Sequence, residues 1–346
     1  MEGLVLLGEK KVAIRKFADP SPASHEVVVR VKAAGICGSD LHLYRLPSAF
    51  LKTDVIVGHE PAGIVEKVGK EVTTIKGGDR VAVYHYLSCG HCEYCVRGQR
   101  MLCGQAGGLG WKSHGADAEF LLIPAENCFV LPAELSYVDG MFMACAAGTV
   151  WSAFKKLCLG ASDTLAVFGL GPVGMTAVLI AKALGAKVIG VDKDDFRLRF
   201  AADIGADACV DVKHSKVVEE LRGLSQERGP TAVFEASGAP QAQKAAVSAV
   251  AKKGRIAMVG ITDEALQPGA DEINLMKPSE LILKELTLYG SYIMTIGDFH
   301  ELSRFLVEKK IRLDRLVTHR FSIHEAEQAF RLFQEGGTGK ILFQFS

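Results

Sequence analysis

The pattern of apolar and polar positions changes once along the chain, at Asp163. Before it, short apolar runs are cut by glycine and proline: His25 to Val31, Gly63 to Val68 and Asp79 to Val83 each alternate as strands and end in turn signals. Many short strands with glycine-rich corners predict a compact, partly barrel-like β domain. After it, Thr164 to Phe168 is an unbroken apolar run, followed by a glycine turn and the helical stretch Val173 to Leu184. Lys187 to Val191, Ala208 to Val212, Thr231 to Glu235 and Arg255 to Val259 read as further strands, with helical segments such as Phe196 to Ile204 between them. Strands alternating with helices of this length predict βαβ units and a doubly wound parallel sheet.

Towards the C-terminus the strand-like Leu286 to Tyr292 precedes a helix with Phe299, Leu302, Phe305 and Leu306 on one side. Ser322 to Glu325 has the form of a capping box, starting a helix that turns Ala326, Ala329, Phe330 and Phe333 inward. Lys340 to Phe345 reads as a last strand that returns to the first domain. A length of 346 residues exceeds one comfortable core. The expected division is residues 1–147, 148–289 and a returning segment 290–346.

Composition narrows the function classes. With 49% hydrophobic and 23% charged residues the chain is ordinary globular protein, not a disordered one. Forty basic and forty acidic residues cancel, so no basic face is forced and nucleic-acid binding is not expected. Leu4 to Leu7 is too short for a signal core, and Val173 to Ala181 falls well short of a membrane span of roughly 20 residues. The expectation is a soluble, cytoplasmic protein with no membrane partner. Nine cysteines, an odd number, suit thiolate–metal chemistry in a reducing compartment better than a disulfide scaffold. Cys128, Cys158 and Cys209 have apolar neighbours and read as small buried hydrophobes.

The other six cysteines fall into two groups. Cys89, Cys92, Cys95 and Cys103 lie within one short segment (about 86–108), and four thiolates so close can close a tetrahedral shell around a structural zinc. Cys37, His59 and Cys145 are dispersed; two thiolates and an imidazole leave the vacant fourth position that a catalytic zinc needs. Gly169-Leu170-Gly171-Pro172-Val173-Gly174 follows a predicted strand and opens a predicted helix, the context that turns a common glycine pattern into a dinucleotide site. Asp192 ends the next strand, where a carboxylate holds both ribose hydroxyls and repels a 2′-phosphate, favouring NAD over NADP. Lys193 and Arg197 are nearby cations that keep NADP as the alternative.

Gly58-His59-Glu60-Pro61-Ala62-Gly63, with Gly69 and Val72, reproduces a signature of the zinc-containing medium-chain alcohol dehydrogenases, and the chain resembles that family over essentially its whole length. The resemblance implies a GroES-like β-rich catalytic domain plus a Rossmann doubly wound parallel-sheet domain. It implies two zinc ions per subunit, one catalytic on Cys37, His59 and Cys145 and one structural. Glu60 is expected just behind the catalytic metal, with Asp40 orienting the His59 ring. Zinc lowers the pKa of a bound hydroxyl from ~16 towards ~7, and hydride passes to NAD+. The family's proton relay falls on Ser39 and His42, since histidine exchanges protons with solvent near neutral pH. Thr149 resembles a residue lying against the nicotinamide, and Lys340 is expected either to reach the pyrophosphate or to be a C-terminal surface lysine.

The expected reaction interconverts a primary or secondary alcohol and its aldehyde or ketone. Some relatives place glutamate where this chain has Cys145, and cysteine there with Thr149 looks closer to the simple alcohol dehydrogenases. Tyr84, His85 and Tyr86, with Trp111, are expected to border the substrate. Two tyrosines around a histidine suit either a polar substrate such as a polyol, or aromatic packing with His85 facing solvent; the packing reading is preferred. The alternatives are a polyol or sugar dehydrogenase and a non-enzymatic zinc and dinucleotide-binding protein. Family members are homodimers or homotetramers, and Leu286 to Tyr292 could pair with its own copy at a sheet edge.

Overall fold

Antiparallel pairing of Glu26–Gly35 with Pro61–Val68 organises the first of two units. The computed structural model describes residues 1–51, 53–261 and 278–346. Unit 1 comprises Met1–Gly148, Met294–Gly336 and Lys340–Ser346; unit 2 comprises Thr149–Ile293 and Gly337–Gly339. The chain thus changes unit after Gly148 and after Ile293, and Gly337–Gly339 again belongs to unit 2.

In unit 1, a seven-stranded sheet runs in the order Val317–Phe321, Lys340–Gln344, Glu26–Gly35, Pro61–Val68, Arg80–Val83, Cys128–Val130, and Phe120–Pro124 also pairs with Glu26–Gly35. Val27, Val29 and Val31 of the central strand pack with Val65, Val81, Val83, Leu121 and Ile123. A second cluster joins Leu4, Leu6, Ile36 and Tyr44 to Phe330, Phe333, Ile341 and Phe343, so the C-terminal helix Ala326–Glu335 and strand Lys340–Gln344 complete the core begun by the N-terminus. Ser322 and Glu325 form the capping box that their spacing predicts.

Unit 2 holds six parallel strands in the order Ala208–Asp211, Lys187–Asp192, Thr164–Phe168, Ala232–Glu235, Arg255–Met258, Thr287–Gly290. Successive strands are added first to one side of Thr164–Phe168 and then to the other, so the order reverses there. Ligands of open α/β sheets sit at the carboxyl ends of strands at such a switch point. Thr287–Gly290 is an edge strand with largely exposed residues. Cys158 corrects its sequence reading: it is exposed, at φ 47° in the turn after helix Ala146–Leu157, where apolar neighbours do not confer burial.

Candidate active site

The register Ala34↔Pro61 sets the end of one strand beside the start of the next, which brings Cys37 and His59 together. Cys145 joins them from the break between helices Tyr137–Ala144 and Ala146–Leu157. Cys37 Sγ lies 4.0 Å from Cys145 Sγ, which lies 3.8 Å from His59 Nε2. A tetrahedral zinc with Zn–S near 2.3 Å has an edge of about 3.8 Å, so these donors are spaced for one ion. One donor atom from each of Cys37, His59, Glu60 and Cys145 falls within 4.8 Å of the others, and all four residues are buried. Glu60 therefore stands closer than merely behind the set.

The same residues build the support. Asp40 accepts the Cys37 N–H at 2.7 Å, starting helix Gly38–Arg45, and its other oxygen stands 3.1 Å from His59 Nδ1. One carboxylate thus caps a helix and aims Nε2 at the ligand space. Ser39 Oγ lies 3.5 Å from that Nε2, and His42 is half-buried one turn further along the helix. Burial works against a charged His59, but Asp40 outweighs it and holds the imidazole well above its usual range. The Cys145 thiol, foremost, pulls Cys37 well down, and Cys145 itself is pushed well up, foremost by Cys37. Metal binding must displace the remaining protons.

Lys340 corrects the sequence expectation. It is fully buried, and its ammonium is committed to Glu60 and to the Ile36 carbonyl at 2.8 Å beside the ligand set rather than being a surface cation. Burial pushes Glu60 up to about 7 against the pull of Lys340. Gly35 makes room for this pair, since a Cβ there would fall 2.2 Å from Glu60 Oε2 and 2.7 Å from Lys340 Cε.

The aromatic wall also differs from expectation. Tyr84 is core: it is fully buried and its hydroxyl donates to the Met294 carbonyl at 3.2 Å. His85 does not face solvent, being 2% exposed with Nδ1 held 2.8 Å from the Ala144 carbonyl. Burial foremost, then the His59 charge, push it down to about 3, so its ring is neutral. The His59 ring centroid lies 5.2 Å from that of His85 and 4.7 Å from that of Trp111, and the half-buried Tyr86 ring is tilted against His85 at 5.0 Å. Sequence reasoning missed Asp117, buried against Gly58 with Oδ1 unpaired among the described residues and its carboxyl pushed well up by burial. Only its acidic type among apolar neighbours could have flagged it.

The four-cysteine lobe springs from a two-residue ladder, Tyr86–Leu87 against Gly107–Gly108. Cys92 to Cys95, Cys103 to Cys89 and Cys89 to Cys95 are 3.5, 3.6 and 3.9 Å apart, again tetrahedral edges for zinc–thiolate bonds. All four positions are taken by sulfur, so such an ion has no open coordination site.

In unit 2, Gly169 (φ 83°) turns the chain at the end of Thr164–Phe168, and Pro172 starts helix Pro172–Ala183. Gly174 lies so close to this turn that a Cβ would sit 1.8 Å from the Gly169 carbonyl oxygen. Val173 occupies the first helical turn, whose free N–H groups suit an anion. Asp192 closes the cradle: Oδ2 accepts the Leu170 N–H at 2.5 Å, and Oδ1 accepts those of Lys193 and Asp194 at 2.7 and 3.0 Å. Arg197 Nη1 lies 4.0 Å from where a Cβ on Gly171 would stand, while Lys193 is exposed. Thr149 is buried in helix Ala146–Leu157.

These two sites agree with what the chain is similar to. A family described as "Alcohol dehydrogenase GroES-like domain" matches residues 23–133, and one described as "Zinc-binding dehydrogenase" matches residues 172–308. YphC of Escherichia coli K12, an uncharacterized zinc-type alcohol dehydrogenase-like protein, is 32% identical over 98% of this chain and 97% of its own. A sorbitol dehydrogenase of Halalkalibacterium halodurans is 33% identical over 97% and 96%. The solved alcohol dehydrogenase TADH from Thermus sp. ATN1 superposes with a TM-score of 0.91, at 29% identity over 99% of both chains. The chain belongs to the zinc-containing medium-chain alcohol dehydrogenases, with a GroES-like unit and a Rossmann unit. It is a zinc-dependent alcohol oxidoreductase.

Proposed function

We propose that the enzyme uses NAD+ and carries two zinc ions per subunit, interconverting alcohols with their aldehydes or ketones. The observation that carries this reading is the donor set of Cys37, His59 and Cys145 at tetrahedral spacing. When bound, zinc supplies the Lewis acid that makes the substrate hydroxyl acidic and the nicotinamide supplies the hydride acceptor. Cys37, His59 and Cys145 hold the catalytic ion, and Asp40 fixes the tautomer that leaves Nε2 of His59 free for it. Ser39, on the ligand side of His59, takes the proton, and His42 delivers it to solvent. Lys340 balances the Glu60 charge beside the ligand set. The Gly169–Gly174 turn would hold the pyrophosphate of a bound dinucleotide, Thr149 would face its nicotinamide, and Asp192 would receive the ribose hydroxyls and disfavour a 2′-phosphate.

A second substrate reading, polyols, is favoured by the polar His85 in the wall and by the sorbitol dehydrogenase relative. Subunits pair as a homodimer through the edge strand Thr287–Gly290, beside which Ile282, Leu283 and Tyr292 are exposed. No helix among the described residues is long and apolar enough to cross a membrane, and thiolate sites suit the reducing cytoplasm.

The test is steady-state reduction of NAD+ and NADP+ by the zinc-loaded protein over a panel of alcohols. We expect kcat/KM for NAD+ to exceed that for NADP+ by at least about tenfold, equivalent to ~1.4 kcal/mol. The reverse order overturns the cofactor assignment, and no turnover with either overturns the catalytic reading.

A further inference from the structure

We infer that Glu235 is a positioning residue for the nicotinamide half of the cofactor: its carboxylate turns the N–H groups of the Ser237–Gly238 loop inward and leaves that loop only carbonyl oxygens to offer a ligand. This rests on the cofactor reading above and adds to it a residue that acts through the loop it holds.

Glu235 ends the strand Ala232–Glu235 and is fully buried. A carboxylate so placed is costly unless donors surround it. The donors come from the residues that follow. Oε1 accepts the Ser237 N–H at 2.9 Å, the Ser237 hydroxyl, and the Gly238 N–H at 3.0 Å. The hydroxyl in turn accepts the Ala239 N–H at 3.2 Å, and the Ala236 N–H goes to the Phe168 carbonyl at 2.8 Å. Every N–H from Ala236 to Ala239 is thus spent inside unit 2. The carbonyls of Ala236, Ser237 and Gly238 meet no donor among the described residues.

The strand order says which part of the cofactor this loop serves. Lys187–Asp192 lies on one side of Thr164–Phe168 and Ala232–Glu235 on the other. Each side of such a sheet serves one mononucleotide, and Asp192 marks the adenosine side, so the loop after Glu235 belongs to the nicotinamide side. Close packing keeps it there. A Cβ on Gly169, at the start of the dinucleotide turn, would fall 2.8 Å from Ser237 N, and one on Gly260 would fall 2.1 Å from Gly238 N. The Glu235 carbonyl adds ties to the Val259 and Gly260 N–H groups at 2.9 and 3.0 Å. A loop held in this way offers acceptors, and the hydroxyls of the ribose on the nicotinamide side are donors. In Glu235→Gln the side-chain amide sets its own N–H groups against those of Ser237 and Gly238, so the loop must turn.

The experiment measures the Kd of NADH by fluorescence and of ADP by calorimetry, on the zinc-loaded protein and on Glu235→Gln, well below either Tm. ADP keeps the adenosine and both phosphates but lacks the nicotinamide and its ribose. NADH should bind the variant about tenfold more weakly, the worth of hydrogen bonds to a charged group, while ADP should stay within about twofold. Ser237→Ala loses only the hydroxyl tie; it should weaken NADH by about threefold and leave ADP unchanged, and it carries the test should Glu235→Gln fail to fold. A carboxylate that merely stabilises the sheet would weaken both ligands alike, through the Gly169 turn they share. Unchanged NADH affinity in a folded Glu235→Gln or in Ser237→Ala, or equal losses for NADH and ADP, overturns the inference and leaves the cofactor reading standing. Failure of the unaltered protein to bind NADH overturns both.

Discussion

Removing the Asp192 carboxylate should damage the protein before any cofactor is added. That carboxylate accepts three backbone N–H groups, and one belongs to Leu170 in the Gly169–Gly174 turn. In Asp192→Ala, the N–H groups of Lys193 and Asp194 lie near the surface and can recruit water. Leu170 is fully buried, so its N–H remains unsatisfied. That orphaned donor costs ~1–3 kcal/mol, and the two weakened charge-assisted bonds bring the total to about 2–4 kcal/mol. At 2–4 °C per kcal/mol for a unit of this size, Tm should fall by roughly 4–16 °C. Asp192→Asn retains one carbonyl oxygen but turns an amide donor towards an N–H, and should fall between the two. The assay is thermal unfolding of the cofactor-free protein, with fluorescence titration of NADH and NADPH alongside. NADH binding should weaken in Asp192→Ala without a matching gain for NADPH. If the carboxylate acts only by repelling a 2′-phosphate, Tm will stay within about 1 °C and NADPH affinity will rise, and that result would refute the reasoning.

Four further expectations follow from the geometry. Cys37→Ala should abolish turnover and remove one zinc with the fold largely kept; full activity with unchanged metal content contradicts its ligand role. Cys95→Ser should act on stability instead, lowering Tm by more than about 5 °C because metal binding there is folding free energy, and an unaltered Tm counts against the structural site. His42→Ala should slow turnover and change its pH profile, and an identical profile removes His42 from the proton path. Acid stability should depend on Asp207 and Asp194. Burial pushes both up, but Lys182 and the Val188 N–H for Asp207, and the Gly337 and Arg197 N–H groups for Asp194, prevail and hold them below the usual range. Their stabilisation is complete above the unfolded-state pKa near 4 and is lost as pH falls through the lower folded values. Replacing both by Asn should flatten the acid limb of Tm against pH, and an unchanged slope contradicts this.

The centre of the unit 2 sheet was legible because the strands Thr164–Phe168, Lys187–Asp192 and Ala232–Glu235 are buried almost throughout and their apolar runs are continuous. Thr164 to Phe168 coincides with the observed strand, and the glycine turn with the start of the Pro172–Ala183 helix. The dispersed donors Cys37, His59 and Cys145 could be picked out because metal chemistry restricts residue type, and the register of two adjacent strands explains how Cys37 and His59 meet. Lys340 was misread because nothing in Gly339-Lys340-Ile341 reveals a buried carboxylate contributed by Glu60 from a distant segment. Tyr84 and His85 were misread because strand Arg80–Val83 has ended before them, and strand alternation no longer tells which side chains point inward. Burial there is decided by Met294 and Ala144, which arrive from elsewhere in the chain.

The most direct test of the account is the zinc content per subunit of the purified protein, measured before and after selective loss of the catalytic ion in Cys37→Ala. The account predicts two zinc ions in the unaltered chain and one in the variant, the survivor held by Cys89, Cys92, Cys95 and Cys103. One zinc or none in the unaltered chain after zinc is supplied, or two retained in Cys37→Ala, would contradict it.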